Sequence, residues 1–143
     1  MQTQLTGPAP GFAPHDRKSP LTEPWEPLYS RLAGDRVILG LRAADPHTNS
    51  RGFVHGGLIS ALADNAMGLS CARTLGSAGG LMTVSLAVDF LGSAYKGQWL
   101  EFDTMFVKPG ATLCFTQAFV TADGKPCARA NAIFRVGPGR RAA

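Results

Sequence analysis

Hydrophobic and polar positions divide this chain into a proline-rich beginning, one long apolar segment and a series of alternating segments. Residues 36–42 alternate well enough for a β-strand, and Asp45-Pro46 stops that pattern. Residues 57–73 are helix formers or small residues and are apolar on nearly every face. Such a segment predicts a central helix that is buried on most sides, with Gly76 and Gly79-Gly80 ending it.

Four segments with strand character follow the helix, at residues 81–91, 98–108, 112–121 and 126–136. Pro109-Gly110 and Asp123-Gly124 are hairpin-turn signals between the last three segments, which predicts an antiparallel meander. In the last segment every second residue is small or apolar: Ala128, Ala130, Ala132, Phe134 and Val136. Alanines on that face would let a helix pack close to the sheet.

The length of 143 residues indicates a single folded domain. Residues 1–27 hold six of the ten prolines and show little periodicity, which predicts an arm that is mobile or draped over a surface. Trp25, Leu28 and Tyr29 are candidates to anchor its end. The folded domain is expected at residues 28–137, followed by a flexible tail at residues 138–143.

The predicted order is one strand, one long helix and four antiparallel strands, which is an α+β fold. A single sheet covers only one side of a helix that is apolar all round. The remaining helix surface therefore needs another cover, most simply a second copy of the chain, and we expect a homodimer with two-fold symmetry.

Charge and cysteine positions narrow the possible partners. The net charge is +4, yet residues 28–137 hold ten Lys or Arg against seven Asp or Glu, with no basic run interleaved with aromatic residues. Nucleic-acid binding is therefore disfavoured. The three cysteines, at positions 71, 114 and 127, are odd in number and far apart, which argues against a disulfide framework and a zinc site. We expect no metal, no membrane span, since residues 53–72 are too polar for one, and a reducing cytoplasm.

One acidic residue stands out from the apolar segment. Asp64 is the only charged residue between Phe53 and Ala72. A carboxylate in such surroundings loses hydration worth several kcal/mol unless a partner or a pKa shift compensates. Two turns upstream lie His55-Gly56-Gly57, and Asn49 precedes that histidine by six residues. The neighbourhood thus offers a base, uncovered backbone amides and an amide side chain.

These residues form the string Asn49-x-x-Gly52-x-x-His55-Gly56-Gly57, with Asp64 seven residues after the last glycine. The string, together with the element order across about residues 28–137, resembles hotdog-fold acyl-CoA thioesterases of the phenylacetic-acid-degradation (PaaI-like) type. The resemblance implies an antiparallel sheet wrapped around a central helix, a homodimer or a dimer of dimers (a homotetramer), and hydrolysis of an acyl-CoA or aryl-CoA thioester. Coenzyme A is then part of the substrate, and no separate cofactor is expected.

Hydrolysis of a thioester needs a base or nucleophile and hydrogen-bond donors for the developing oxyanion. Asp64 can be the first, and the backbone N–H of Gly57 near the helix N-terminus can be the second. Seven residues at about 1.5 Å each separate these groups by roughly 10 Å along the helix, whereas one carbonyl must lie within about 3 Å of both. We therefore expect Asp64 of one subunit to work with residues 55–57 of the other.

The other motif positions are given supporting roles by the resemblance. His55 would position the oxyanion loop or the thioester, with direct acid–base work as the alternative. Gly56 would border the substrate, and Asn49 would orient the thioester or the attacking water. A hydroxyl on the strand after the helix would help to place water. Thr83 stands there, with Ser85 as the alternative on the same face of a regular strand.

Arg129 is a weak candidate for binding the CoA phosphates, by charge alone. Asp64 as direct nucleophile and Asp64 as general base both remain open. Two other functions are also weighed. An enoyl-CoA hydratase of the same fold is disfavoured because its Asp-x-Asn-x-x-His motif is not reproduced by Asp45-Pro-His-Thr-Asn49. A non-catalytic module that binds acyl-CoA or an aromatic ligand remains the alternative, since a fold never proves a function.

Overall fold

The computed structural model describes residues 6–76 and 80–137. Its one long helix, α1, covers Gly56–Leu75 and confirms the predicted central helix. His55 precedes it in extended conformation, and Gly76 ends it with a left-handed backbone (φ 65°), a conformation that glycine adopts without steric cost. Gly79, the other predicted stop, lies outside the described residues.

Seven strands form one antiparallel sheet. They are β1 (Ala13–Pro14), β2 (Tyr29–Ala33), β3 (Arg36–Arg42), β4 (Leu81–Phe90), β5 (Trp99–Lys108), β6 (Leu113–Ala122) and β7 (Lys125–Val136). Their order is β1-β2-β3-β5-β6-β7-β4, so the predicted meander of the last three strands is confirmed and β4 lies at one edge. One long helix against one large antiparallel sheet is the predicted α+β hotdog arrangement.

Strands β1 and β2 were not predicted. They come from the end of the arm and the residues just after it, and β1 pairs with β2, placing Pro14 opposite Tyr29. Two short 3₁₀ turns, Glu23–Trp25 and Asp45–His47, complete the described elements. Residues 13–27 of the arm include a strand paired with β2 and a 3₁₀ turn, which corresponds to the draped alternative. The tail at residues 138–143 lies outside the described residues.

The core lies between the sheet and one face of α1. The predicted small face of β7 is buried there, with Ala128, Ala130 and Ala132 each at most 2% exposed. A buried polar contact also ties the layers together, since the backbone N–H of Val37 donates to Ser70 Oγ at 3.0 Å.

The opposite face of α1 is covered less completely. Asp64, Asn65 and Gly68 are only half-buried, while Leu62 and Ala66 on the core side are fully buried. Edge strand β4 is also open, with most of its residues exposed. The helix in one chain is thus buried on one side rather than on most sides, as expected if a second copy supplies the rest.

Two of the three cysteines depart from expectation. Cys71 on α1 and Cys114 on β6 form a disulfide, and Cys127 is free and buried. The prediction drawn from the odd cysteine count was wrong for this pair, because the fold brings together two residues that lie 43 positions apart. The cytoplasmic location that rested partly on unpaired cysteines stays a prediction.

Candidate active site

Asp64 has a hydroxyl partner across the layers of the fold. Its Oδ1 accepts a hydrogen bond from Thr83 Oγ1 at 2.7 Å, which joins the middle of α1 to the start of β4. A hydrogen bond to an ionised carboxylate is worth about 1.5–3 kcal/mol. Asp64 is therefore neither bare nor fully buried: it is held at the open face of the helix by one donor.

A bulge in β4 separates the two hydroxyls that the sequence left as alternatives. Thr83 lies opposite Phe134, which faces α1, whereas Ser85 lies opposite Ile133 after a register shift between the two residues. Residues opposite each other share a face, so Ser85 belongs to the outer face of the sheet, the side away from α1. The expectation that both share one face was wrong, and Thr83 is the one brought to Asp64.

The helix N-terminus is capped by the side chain that precedes it. His55 Nδ1 accepts the backbone N–H of Gly57 at 2.8 Å, so this amide has a partner within its own chain. The neutral imidazole then carries its proton on Nε2. Both residues are exposed. The sequence did not reveal this bond, because it depends on the rotamer of His55.

The two glycines are explained by their neighbours. A Cβ at Gly56 would lie 3.0 Å from Cζ of Phe90, and one at Gly57 would lie 3.0 Å from His55 Nδ1. Larger residues at either position would push an aromatic or imidazole ring aside. The tight entry into α1 therefore depends on both glycines.

Asn49 bonds to its own loop. Its Oδ1 accepts the backbone N–H groups of Arg51 at 2.9 Å and Phe53 at 3.2 Å, which closes the turn that leads to His55. The structure thus gives its carbonyl oxygen a structural use. Its role in orienting a thioester stays a prediction.

Arg129 lies on the outer face of the sheet. Its Nε donates to Asp89 Oδ2 at 2.9 Å, and both side chains are more than half exposed. Its neighbours in the strand, Ala128 and Ala130, face the core. The structure therefore does not bring Arg129 together with Asp64, and its contact with CoA phosphates stays a prediction.

A cavity of about 290 Å³ is lined by Asp64, Thr83 and part of the N-terminal arm. The arm contributes His15, Arg17, Lys18, Ser19 and Thr22, and Leu28 directly follows it. Burial lowers the pKa of His15, against an opposing effect of the Asp16 carboxylate. Sequence reasoning missed these residues because no periodic pattern connects the arm to the helix; Arg17-Lys18 in a proline-rich segment was the only hint.

Neither a metal site nor a membrane-spanning helix is found among the described residues. No group of three His, Cys, Asp or Glu residues within 6–76 and 80–137 is placed to hold a metal ion. Among the helices of that part of the chain, none has the length and apolar character needed to cross a bilayer.

Sequence comparison connects this geometry to known proteins. The family model described as the thioesterase superfamily matches residues 51–128, more than half of the chain. PA0474 of Pseudomonas aeruginosa, which is named as a candidate esterase, is 35% identical over 127 residues, covering 88% of this chain and 95% of that protein. Human acyl-coenzyme A thioesterase 13 is 32% identical over 100 residues, covering 68% of this chain and 70% of that protein.

Solved structures show the same architecture. A mutant form of the phenylacetic acid degradation protein PaaI from Thermus thermophilus superposes with a TM-score of 0.72 at 22% identity, covering 82% of this chain and 98% of that one. The protein smu.793 from Streptococcus mutans, bound to acetyl CoA, gives a TM-score of 0.68 at 28% identity, covering 75% and 85% of the two chains. The resemblance seen in the sequence is confirmed: the chain belongs to the thioesterase superfamily and is a thioester hydrolase with the hotdog fold.

Proposed function

We propose that this protein hydrolyses an acyl-CoA thioester to a free acid and coenzyme A. The observation that carries the proposal is the Asp64–Thr83 hydrogen bond at the border of a 290 Å³ cavity. A half-buried carboxylate beside a cavity is the kind of group that hydrolysis requires. The name of the human relative refers to acyl-coenzyme A, and the protein from Streptococcus mutans is described as bound to acetyl CoA. Both names support this substrate class.

Asp64 provides the base or the nucleophile. As a base, its carboxylate takes a proton from water while the oxygen adds to the thioester carbonyl carbon; the C–S bond then breaks and the CoA thiolate takes up a proton. As a nucleophile, the carboxylate adds to the carbonyl and expels the thiolate, and water hydrolyses the resulting anhydride. In both routes Thr83 holds Oδ1 of the carboxylate, and its hydroxyl oxygen can accept a hydrogen bond from water.

The Gly57 amide is the proposed oxyanion donor. Its N–H donates to His55 Nδ1 in this structure, so the imidazole must turn away or share the amide when substrate binds. A charge-assisted hydrogen bond is roughly twice as strong as a neutral one, so a developing oxyanion can compete for this N–H. His55 would thereby accept the Gly57 N–H until the oxyanion of the transition state replaces it.

The site is proposed to span two subunits. Asp64 and Gly57 are seven residues apart on α1, roughly 10 Å along its axis, so one carbonyl cannot reach both in one chain. Edge strand β4 exposes Leu86 and Phe90 on the side of the sheet that faces α1, and it is paired on one edge only within the described residues. We propose a homodimer in which β4 strands pair and each Asp64 approaches the partner's Gly57.

A second apolar surface supports a dimer of dimers. The outer face of the sheet exposes Met105, Phe106, Leu113 and Phe115, on strands that lie side by side. Exposed apolar patches of this kind are frequent at subunit contacts. We propose this face as the contact between two dimers, and the cytoplasm as the compartment.

Release of free thiol from a panel of acyl-CoA and aryl-CoA substrates tests the function. Asp64→Asn should lower kcat by at least about 10²-fold, because the variant lacks the base or nucleophile. Asp35→Asn, at the exposed turn between β2 and β3, is the matched control and should keep the parent's activity. Unchanged turnover in Asp64→Asn would disprove its role. Binding of CoA esters without thiol release by the parent would instead favour a binding module.

A further inference from the structure

The cavity beside Asp64 is walled by an arm that has no place in the proposed chemistry. Five arm residues and the adjoining Leu28 line it, together with α1 and strand residues that include Leu39, Leu69 and Phe134. The arm therefore contributes to the space next to the reacting carbonyl, which is where part of the substrate must lie.

The arm is bonded in place. The backbone N–H of His15 donates to the carbonyl of Leu28 at 2.9 Å, and its Nδ1 lies 3.1 Å from Ser30 Oγ. Farther along, His47 Nε2 donates to the carbonyl of Trp25 at 2.9 Å. His15 and Thr22 are at least nine-tenths buried. These bonds give the wall a defined position relative to Asp64.

The arm side of the cavity carries two cations, while α1 and the strands contribute apolar side chains as well as Asp64, Asn65 and Thr83. Arg17 and Lys18 line the cavity as exposed residues, and neither forms an ion pair in the part of the chain that the structure describes. The cavity thus holds two uncompensated cations and one carboxylate, which belongs to the reaction. Two cations near the apolar side chains of Leu39, Leu69 and Phe134 fit a ligand with a hydrocarbon part and an anionic end.

The cavity volume matches a small hydrocarbon part. Ligand cavities usually measure about 300–1,000 Å³, so a cavity of about 290 Å³ is at the small end of that range. A ring or a short chain fits this volume.

We propose that the arm is a specificity element, and that Arg17 and Lys18 select short or aromatic acyl groups that carry a distal carboxylate. This inference rests on the proposed thioesterase function and names its substrate class. The other anion that these cations could meet is a phosphate of coenzyme A, and the experiment separates the two sources.

The test compares kcat/KM for adipyl-CoA and hexanoyl-CoA, which have the same chain length and differ in the distal carboxylate. The parent should prefer adipyl-CoA. Arg17→Gln/Lys18→Gln should lower kcat/KM for adipyl-CoA by about tenfold and leave hexanoyl-CoA within about twofold, because only adipyl-CoA has the carboxylate that the two cations bind. Lys125→Gln, at the exposed first residue of β7, should change neither value.

Three outcomes overturn the inference. If the parent does not prefer adipyl-CoA to hexanoyl-CoA, the inference has no basis. An equal loss for both thioesters assigns the cations to the coenzyme A phosphates. In the third outcome, the double variant no longer lowers kcat/KM selectively for the adipyl thioester when the acyl groups are carried on N-acetylcysteamine, which has no phosphate. This outcome also assigns the cations to the coenzyme A phosphates. If the parent hydrolyses no thioester, the proposed function fails, and equilibrium binding of the two CoA esters then decides the inference by the same comparison.

Discussion

The carboxylate of Asp64 and the hydroxyl of Thr83 form the most specific contact at the open face of α1. The hydroxyl proton is used by Oδ1, which leaves the other carboxylate oxygen for the reaction and fixes the direction in which it faces. We infer that Thr83 positions Asp64 and a water molecule, whichever of the two chemical routes Asp64 follows.

Replacing Thr83 tests this arrangement. Thr83→Val keeps the shape and removes the donor, and it should lower kcat by about 10- to 100-fold, as expected for loss of a hydrogen bond to a charged group. Thr83→Ser should retain most of the activity. Ser85→Ala, on the outer face, is the control and should behave as the parent. Greater loss in Ser85→Ala than in Thr83→Val would reverse the assignment of the hydroxyl.

Some site residues were predictable and others were not, for physical reasons. Asp64 could be identified from the sequence because placing a lone charge in an apolar segment costs desolvation free energy, which indicates a functional role. The choice of Thr83 over Ser85 was not, because one inserted residue in β4 changes the face of every residue beyond it. The arm was missed because its contacts with α1 depend on tertiary structure alone.

The elements themselves follow the sequence more closely than the site does. The predicted strand at residues 36–42 has the same bounds as β3. Each end of the other four predicted strands either agrees with the structure or differs from it by one residue. Strand β2 was missed because Tyr29–Ala33 is short and lies at the end of a proline-rich segment. Its stability comes from pairing with β3, which local propensity does not report.

His47 connects the arm to the loop before α1. It is 3% exposed; its Nδ1 accepts the backbone N–H of Ala44 at 2.9 Å, and its Nε2 donates to Trp25. Burial lowers the pKa of His47 below the ordinary value of about 6.5, against a smaller opposing effect of the Trp25 carbonyl. Protonation of Nδ1 would remove the bond to Ala44.

The pH dependence of stability tests this element. A lowered pKa in the folded state means that the unfolded chain binds more protons, so the free energy of unfolding should fall as pH drops below about 6.5, until the folded-state pKa is passed. Urea unfolding followed by tryptophan fluorescence should show this fall, to which His15 adds in the same direction. His47→Gln should reduce the slope. Thr48→Ala removes a bond in the same turn without a titrating group and should keep the parent's slope.

At the scale of the whole molecule, a single chain leaves one side of α1 and one edge of the sheet uncovered. Half-buried Asp64 and Asn65 face the side of α1 that the sheet does not cover, and most residues of edge strand β4 are exposed, including the apolar Leu86 and Phe90. A long apolar edge strand without a cover promotes association with other strands. Pairing of two β4 strands would cover this edge. The same pairing would complete the site, because each Asp64 would approach the partner's Gly57.

Leu86 tests whether assembly and catalysis depend on the same surface. Leu86 is 39% exposed on β4, and in a two-fold interface Leu86→Lys would place two ammonium groups close together. The variant should be monomeric by light scattering, keep its circular dichroism spectrum, and lose about 10²- to 10³-fold in kcat/KM, because Asp64 loses the partner's oxyanion donor. Leu32→Lys, equally apolar and 57% exposed on β2, is the control and should remain assembled and active. A Leu86→Lys monomer with full activity would show that one chain contains the whole site, and the separation of Asp64 from Gly57 along α1 would then be no obstacle to catalysis.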